Sequence, residues 1–109
     1  MATHTIYIGL DDSTLVYWDQ WGDPARYKHA QHQEWIRWQS KMGQEFTVEF
    51  TGGKWPFAGS PTMLSSVNGQ IQRRQVTENP PELARYKYRV TVLPSGPADD
   101  PEIIIDPSE

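Results

Sequence analysis

A strict alternation of apolar and polar residues in the middle of the chain constrains the fold more than any other feature of the sequence. Phe46, Val48 and Phe50 alternate with polar residues, which places three large apolar side chains on one face of an extended strand. Gly52 and Gly53 end the run, because residues without a Cβ tolerate the turn that follows. The pattern therefore predicts a β-strand with one face in a core.

A second alternating segment lies just before this strand. Ile36 and Trp38 share a face, with Arg37 between them on the opposite face. The short connection at residues 41–43 favours two antiparallel neighbours with one face in the core. Trp38 is accordingly assigned to the core, whereas Trp35 alternates to the outer face and is a surface candidate.

Five further segments have the composition of β-strands. Each contains β-branched or aromatic residues, and turn-forming residues lie between them. The segments are residues 5–10, 15–18, 70–76, 86–92 and 103–105. The chain shows no repeat and no domain boundary, so we expect one domain at residues 1–109. Several short strands separated by turns predict an all-β sandwich.

Residues 23–43 fit either of two structures. An Asp-Pro start, a terminal glycine and two tryptophans on one stripe are typical of a single helix. In the alternative, residues 35–39 form a strand, and residues 23–33 are a loop or a short helix. Local residue preferences alone favour the helix slightly.

The composition argues against several classes of function. The chain has no cysteine, which excludes disulfides and thiolate chemistry. A net charge of −4 argues against general nucleic-acid binding, because contact with phosphates requires a basic surface. No signal peptide and no apolar run of membrane-spanning length is visible, so we expect a soluble cytoplasmic protein of bacterial type with no membrane partner.

Short motifs in the chain resemble those of the cupredoxins, the plastocyanin-like β-sandwiches. Residues 85–90, Arg-Tyr-Lys-Tyr-Arg-Val, resemble the Tyr-x-Tyr-x-Cys strand of that family, and residues 36–38 resemble its Val-x-Trp strand. Residues 46–50 are similar to the strand that follows. Residues 100–106 resemble the end of small bacterial cupredoxin-like proteins. The resemblance extends over roughly half of the chain, and each of these motifs within it is short.

The resemblance implies a Greek-key β-sandwich with a strand at residues 35–39 and a loop or short helix inserted around residues 23–33. It also implies a member of the family without copper. A blue-copper site needs a Cys thiolate and two His ligands, usually with an axial Met. Val90 occupies the position of that Cys, and no His follows it. We therefore expect no metal and no cofactor.

Tryptophans outside the predicted core are the first candidates for a binding surface. Trp18, Trp21 and Trp55 lie in or beside predicted loops, and Trp35 lies on the outer face of its strand. Exposed indole rings suit either a protein partner or a sugar ring. The alternative is that these rings cap the open ends of the sandwich.

Charge is distributed unevenly along the chain. Arg85, Lys87 and Arg89 lie on the outer face of the strand at residues 86–92, and residues 73–74 place two more arginines on a neighbouring strand. The C-terminal segment contains the acidic residues Asp99, Asp100, Glu102, Asp106 and Glu109. This separation predicts a basic face that steers an acidic partner or pairs subunits head to tail. The alternative is an ordinary charged face that keeps the sheet soluble.

The residues support three hypotheses, in this order. The first is a non-catalytic, metal-free, cupredoxin-like interaction module that binds a protein partner or a second copy of itself. The second is a carbohydrate-binding module that uses exposed tryptophans. The third is a metal-dependent enzyme in which His29 and His32, at H-x-x-H spacing, bind the metal, although two solvated surface residues explain the same pair. No catalytic constellation is found.

Overall fold

The computed structural model describes residues 2–59 and 63–107, which form β-strands and contain no helix. The strands are β1 (Thr3–Asp11), β2 (Thr14–Trp18), β3 (Tyr27–Ala30), β4 (Trp35–Ser40), β5 (Phe46–Phe50), β6 (Met63–Ser65), β7 (Gln70–Gln75), β8 (Ala84–Val92), β9 (Ala98–Asp99) and β10 (Glu102–Ile105). The prediction of an all-β fold is confirmed. In this part of the chain, no helix is long and apolar enough to cross a membrane.

The strands form two mixed sheets that enclose one hydrophobic core, an arrangement consistent with a β-sandwich. The four-stranded sheet has the order β2-β1-β4-β7. The second sheet has the order β3-β10-β8-β5-β6, with β9 also paired to β8. The pairs β1–β4 and β3–β10 are parallel, and the other pairs are antiparallel. The chain changes sheet in the connections β2–β3, β3–β4, β4–β5, β6–β7 and β7–β8.

The segment expected to be a loop or a short helix, residues 23–33, contains strand β3, and the single-helix alternative for residues 23–43 is wrong as well. β3 pairs in parallel with β10, which contains three consecutive isoleucines. Its last residue, Ala30, is buried in the core. Pairing with a strongly β-forming strand outweighs the weak helical preference of this segment.

Strands β4 and β5 lie in different sheets, so the prediction that they are antiparallel neighbours is wrong. β4 pairs with β1 and β7, whereas β5 pairs with β6 and β8. The short connection between them carries the chain from one layer to the other. Their apolar faces meet across the core, where the rings of Trp38 and Phe50 lie 6.3 Å apart.

Trp38 lies at the centre of the core and contacts both layers. Its indole is fully buried and packs edge-to-face against Phe50, Phe57 and Tyr88. Its Nε1 donates a hydrogen bond of 3.3 Å to the hydroxyl oxygen of Tyr88. The buried polar atoms of both rings are therefore paired, and the prediction that Trp38 lies in the core is confirmed.

Phe50→Ala is expected to lower the free energy of unfolding by about 3–5 kcal/mol, because the ring packs against Trp38 and Tyr88 and its removal leaves a cavity. Val48→Ala on the same strand removes fewer buried atoms and should cost less. Urea unfolding of both variants measures the difference. A midpoint for Phe50→Ala close to that of the wild type would contradict this packing.

Candidate functional site

The four candidate tryptophans do not form one cluster. Trp18 and Trp35 are half-buried on the outer face of the four-stranded sheet, on β2 and β4. Trp21 lies in the loop after β2 and is 66% exposed. Trp55 is half-buried against the core, with its ring 5.3 Å from that of Phe50. Trp18 and Trp35 are therefore the pair that share one flat surface.

Three basic side chains lie along β1 on this outer face, each against an outward side chain of that strand. We name them the cation row, which consists, in order along β1, of Arg73, Arg37 and Lys41. The first donates a hydrogen bond of 3.4 Å from Nη1 to Oγ1 of Thr3. The second donates from Nε and Nη2 to Oγ1 of Thr5, at 3.3 and 3.2 Å. The third places Nζ 4.8 Å from the ring centroid of Tyr7.

These contacts hold the cations in place but leave their charge unneutralised. Cζ of Arg73 also lies 4.4 Å from the ring centroid of Trp35, within the range of a cation–π contact. Within residues 2–59 and 63–107, no member of the row forms an ion pair. Among the residues of β1, β2, β4 and β7, the carboxylate is Asp11, at the end of β1. The face therefore presents a row of positive charge.

A β-bulge on β7 brings Arg73 to this face. Between the aligned pairs Ile36–Arg74 and Trp38–Ile71, β4 contributes one residue where β7 contributes two. An extra residue in a strand re-aims the side chains beside it. Strict alternation from Ile71 would instead point Arg73 at the core. The prediction that the two adjacent arginines neighbour the β8 strand is wrong, because β7 belongs to the other sheet.

The bulge borders a shallow depression of about 430 Å³. It is lined by Trp35, Arg37, Gln70, Gln72 and Arg73. Two guanidinium groups and two side-chain amides therefore surround one opening. A guanidinium group binds the two oxygens of a carboxylate or a phosphate with paired hydrogen bonds. The lining contains no carboxylate or hydroxyl side chain, so its chemistry suits anion binding.

The aromatic rings of this face already have partners. Trp18 stacks with Tyr7, with ring centroids 6.0 Å apart and an interplanar angle of 27°. Its indole also lies over Gly9, where an added Cβ would come within 2.7 Å of the ring. Tyr7 and Trp35 each have a member of the cation row over the ring. The aromatic rings of this face therefore contact the cation row or each other.

Arg85, Lys87 and Arg89 lie exposed on the outer face of β8, but acidic residues lie beside them. Arg85 pairs with Glu102 at 2.8 Å, and Arg89 pairs with Asp100 at 3.4 Å. The pairing follows from topology, because β9 and β10 both run antiparallel to β8 and Asp100 lies between them. The second sheet therefore neutralises much of its own charge.

Other acidic residues of the C-terminal segment are paired as well. Asp99 pairs with Arg26, and Asp106 lies 3.0 Å from Nδ1 of His29. Glu109 lies outside the described residues. The predicted separation of a basic face from an acidic end is therefore wrong for the described residues, since the four described acids of this segment each lie against an Arg or His side chain.

His29 and His32 have separate partners rather than a common one. His29 lies against Asp106, and Nδ1 of His32 lies 3.3 Å from the backbone oxygen of Glu78. Across the described ranges, no group of three His, Cys, Asp or Glu side chains is placed to hold a metal ion. The geometry gives the metal-enzyme hypothesis no support.

Trp21 is presented by a loop that a buried ion pair holds. Oδ1 of Asp19 accepts the backbone N–H groups of Trp21 and Asp23, at 2.9 and 3.0 Å. Oδ2 of Asp19 accepts a hydrogen bond of 2.9 Å from Nζ of Lys28, which also lies 5.3 Å from the Trp21 ring. Burial acts to raise the pKa of Asp19, but these hydrogen bonds outweigh it and hold the pKa below its ordinary value.

A scan against protein-family models and a search of curated proteins found no match to this chain. Function is therefore inferred from the geometry and charge of the two outer faces.

The sequence identifies Trp35 as a surface residue but not the row beside it. Arg37 follows from the same alternation, because it lies two residues from Trp35 on the same strand. Thr3 and Thr5 have no such signal, since their contacts depend on the parallel pairing of β1 with β4. The β7 bulge has none either, because two adjacent arginines are equally compatible with a regular strand.

Asp19→Asn is expected to lower the free energy of unfolding by about 3 kcal/mol at neutral pH, because Lys28 then keeps a nearly buried charge without its partner. The folded-state pKa of Asp19 is depressed, so the stabilisation is present at neutral pH and is lost as the pH falls through that pKa. The difference between wild type and variant should therefore shrink in acid.

Urea unfolding of both proteins across this pH range measures the effect. Asp11→Asn, at an exposed turn, is the matched control and should change little. A difference for Asp19→Asn that stays constant into strong acid would show that the carboxylate charge is not responsible.

Proposed function

We propose that this protein is a non-catalytic, metal-free interaction module with a Greek-key, cupredoxin-like β-sandwich, and that it binds a protein partner through the outer face of the four-stranded sheet. The observation that carries the proposal is the cation row. Each of its three basic side chains contacts a hydroxyl group or an aromatic ring, and none has a carboxylate partner among the described residues. A patterned charge of this kind steers and selects a partner of opposite charge.

The positions of the motif residues support the proposed fold family. Trp38 and Tyr88, from two of the strands that carry the resemblance, meet in the core through a hydrogen bond. Val90 stands where a copper-binding cysteine would be, and its side chain is fully buried. An aliphatic side chain at that position packs the core and offers no ligand to a metal.

The composition of the face supports a protein partner. Tyr7, Trp18 and Trp35 lie beside the cation row, with Val16 at the margin. Aromatic residues and arginine are the side chains that contribute most often to the energetic centre of a protein interface. The outer face of the second sheet is a weaker candidate, because its arginines are already paired with its own acids.

In one version of this proposal, the protein partner is a second copy of the same chain. Apart from the cation row, the chain has seven basic residues against fourteen acidic ones, since ten are basic in total. A second copy therefore carries an excess of negative charge that the row of the first would attract. Such a contact would be heterologous, because the two copies would use different patches.

Carbohydrate binding is the second candidate, and the exposure of Trp21 favours it. A sugar ring stacks on a free indole face, and Trp21 is the most exposed of the described tryptophans, at 66%. Trp18 and Trp55 do not extend this ring into a platform, because they pack against Tyr7 and Phe50 respectively. A glycan panel read by tryptophan fluorescence separates this candidate from the first.

The proposal predicts that a charge-reversed outer face loses its partner. The immobilised wild type, applied to a lysate of the source organism, should retain a protein that the double variant Arg37→Glu, Arg73→Glu does not retain. Lys87→Glu, which reverses one exposed charge on the other sheet, is the matched control and should retain it. Light scattering on each protein shows whether the retained species is a second copy.

Two results would overturn the proposal. One is a wild-type protein that stays a strict monomer and retains nothing. The other is loss of the partner in Lys87→Glu with full retention by the double variant, which would move the binding face to the second sheet.

A further inference from the structure

We propose that the cation row binds an extended acidic peptide whose carboxylates occur at every second residue. This inference rests on the proposed function, because it describes the segment of the partner that would bind to the same face. The proposed ligand groups are the side-chain carboxylates of an extended peptide. Phosphorylated peptides and nucleic acids are alternatives that the experiment separates from it.

The spacing of the row carries the inference. Its members contact Thr3, Thr5 and Tyr7, which are successive outward residues of one strand. Outward residues of a strand repeat at roughly 6.7 Å, because each residue rises by about 3.3 Å. An extended peptide presents its own alternate side chains at that same interval. Carboxylates at positions i, i+2 and i+4 therefore match the three cations without any change of backbone conformation.

The arginines are oriented before a ligand arrives. Arg37 uses Nε and Nη2 on Oγ1 of Thr5, which leaves Nη1 without a hydrogen-bond partner among the described residues. Arg73 uses Nη1 on Oγ1 of Thr3 and stacks on Trp35, which leaves Nη2 and Nε without one. Side chains that are already held lose little rotamer freedom when they bind. Each guanidinium group therefore keeps donors for an incoming carboxylate.

Two observations favour a peptide over a single-stranded nucleic acid. A nucleic acid gains affinity by stacking its bases on open aromatic rings. Here the rings of Tyr7 and Trp35 have cations over them, and Trp18 is stacked on Tyr7. The chain also carries a net charge of −4, which opposes a long polyanion while leaving a local contact with a short acidic segment favourable.

The test compares isomeric peptides that bind to the full chain. One carries the pattern Glu-Ser-Glu-Ser-Glu, and the other has the same composition with its glutamates adjacent. Fluorescence anisotropy of labelled peptides at low salt measures both affinities, with a phosphoserine peptide and oligothymidine as further ligands. The alternating peptide should bind at least about fivefold more tightly than its isomer, since all three of its carboxylates reach a cation.

Variants of the row locate the site. We expect the affinity for the alternating peptide to fall by about threefold to fivefold in each of the variants Arg37→Gln, Arg73→Gln and Lys41→Gln. This is the effect expected for the loss of one partly exposed ion pair. Lys87→Gln removes one exposed charge from the other sheet and should leave the affinity unchanged. Thr5→Val keeps every charge but removes the oxygen that orients Arg37, so it should also weaken binding of the alternating peptide.

Each of the remaining outcomes contradicts one part of the proposal. Equal affinity for the two isomeric peptides would show that the spacing of the carboxylates does not matter. A loss of affinity in Lys87→Gln equal to that in the row variants would show that binding depends only on net charge. Tighter binding of oligothymidine or the phosphoserine peptide assigns the row to a different ligand. If no peptide binds while the charge-reversed outer face still loses a captured protein, this inference fails and the proposed function stands.

Discussion

The fold depends on the contact between Trp38 and Tyr88, which joins the two layers at the centre of the core. Both side chains are fully buried, and the bond from Trp38 Nε1 to the Tyr88 hydroxyl oxygen satisfies a donor and an acceptor that no water reaches. Burial raises the pKa of the Tyr88 phenol, so the hydroxyl stays neutral. Phe50 and Phe57 pack edge-to-face against Trp38, so aromatic rings surround the hydrogen bond between the layers.

Because the inner faces are used in this way, the outer faces are where the sheets can differ in function. The second sheet places the acidic residues of the β9–β10 segment beside the basic residues of β8, and Arg85–Glu102 and Arg89–Asp100 are the result. The four-stranded sheet has no such acidic segment beside its basic residues. Its outward cations contact hydroxyl groups and aromatic rings, which orient a positive charge without cancelling it. The two faces thus differ in electrostatics, because one pairs its charges internally and the other leaves three cations without a carboxylate partner among the described residues.

The sequence predicts those elements whose apolar residues alternate strongly. The strand of Phe46, Val48 and Phe50 and the core position of Trp38 follow from a period of two that only one buried face can satisfy. It fails where a long-range partner decides the structure. β3 forms because β10 lies beside it, and the sheet that contains β4 is set by β1, some thirty residues earlier. The bulge that exposes Arg73 is a matter of register between two strands, and neither strand encodes it alone.

Register is also what links the core to the proposed binding face. β1 and β4 pair so that Thr5 lies opposite Arg37 on the outside, while Ile6 lies opposite Trp38 on the inside. A shift of one residue would exchange the two faces of a strand, so it would place Thr5 in the core and Ile6 in water. Burial of Ile6 and Trp38 excludes that shift, because each loses its contacts if the strand moves. The same hydrophobic packing that stabilises the sandwich therefore fixes the spacing at which the outer cations are presented, and the core determines the pattern that a partner can recognise.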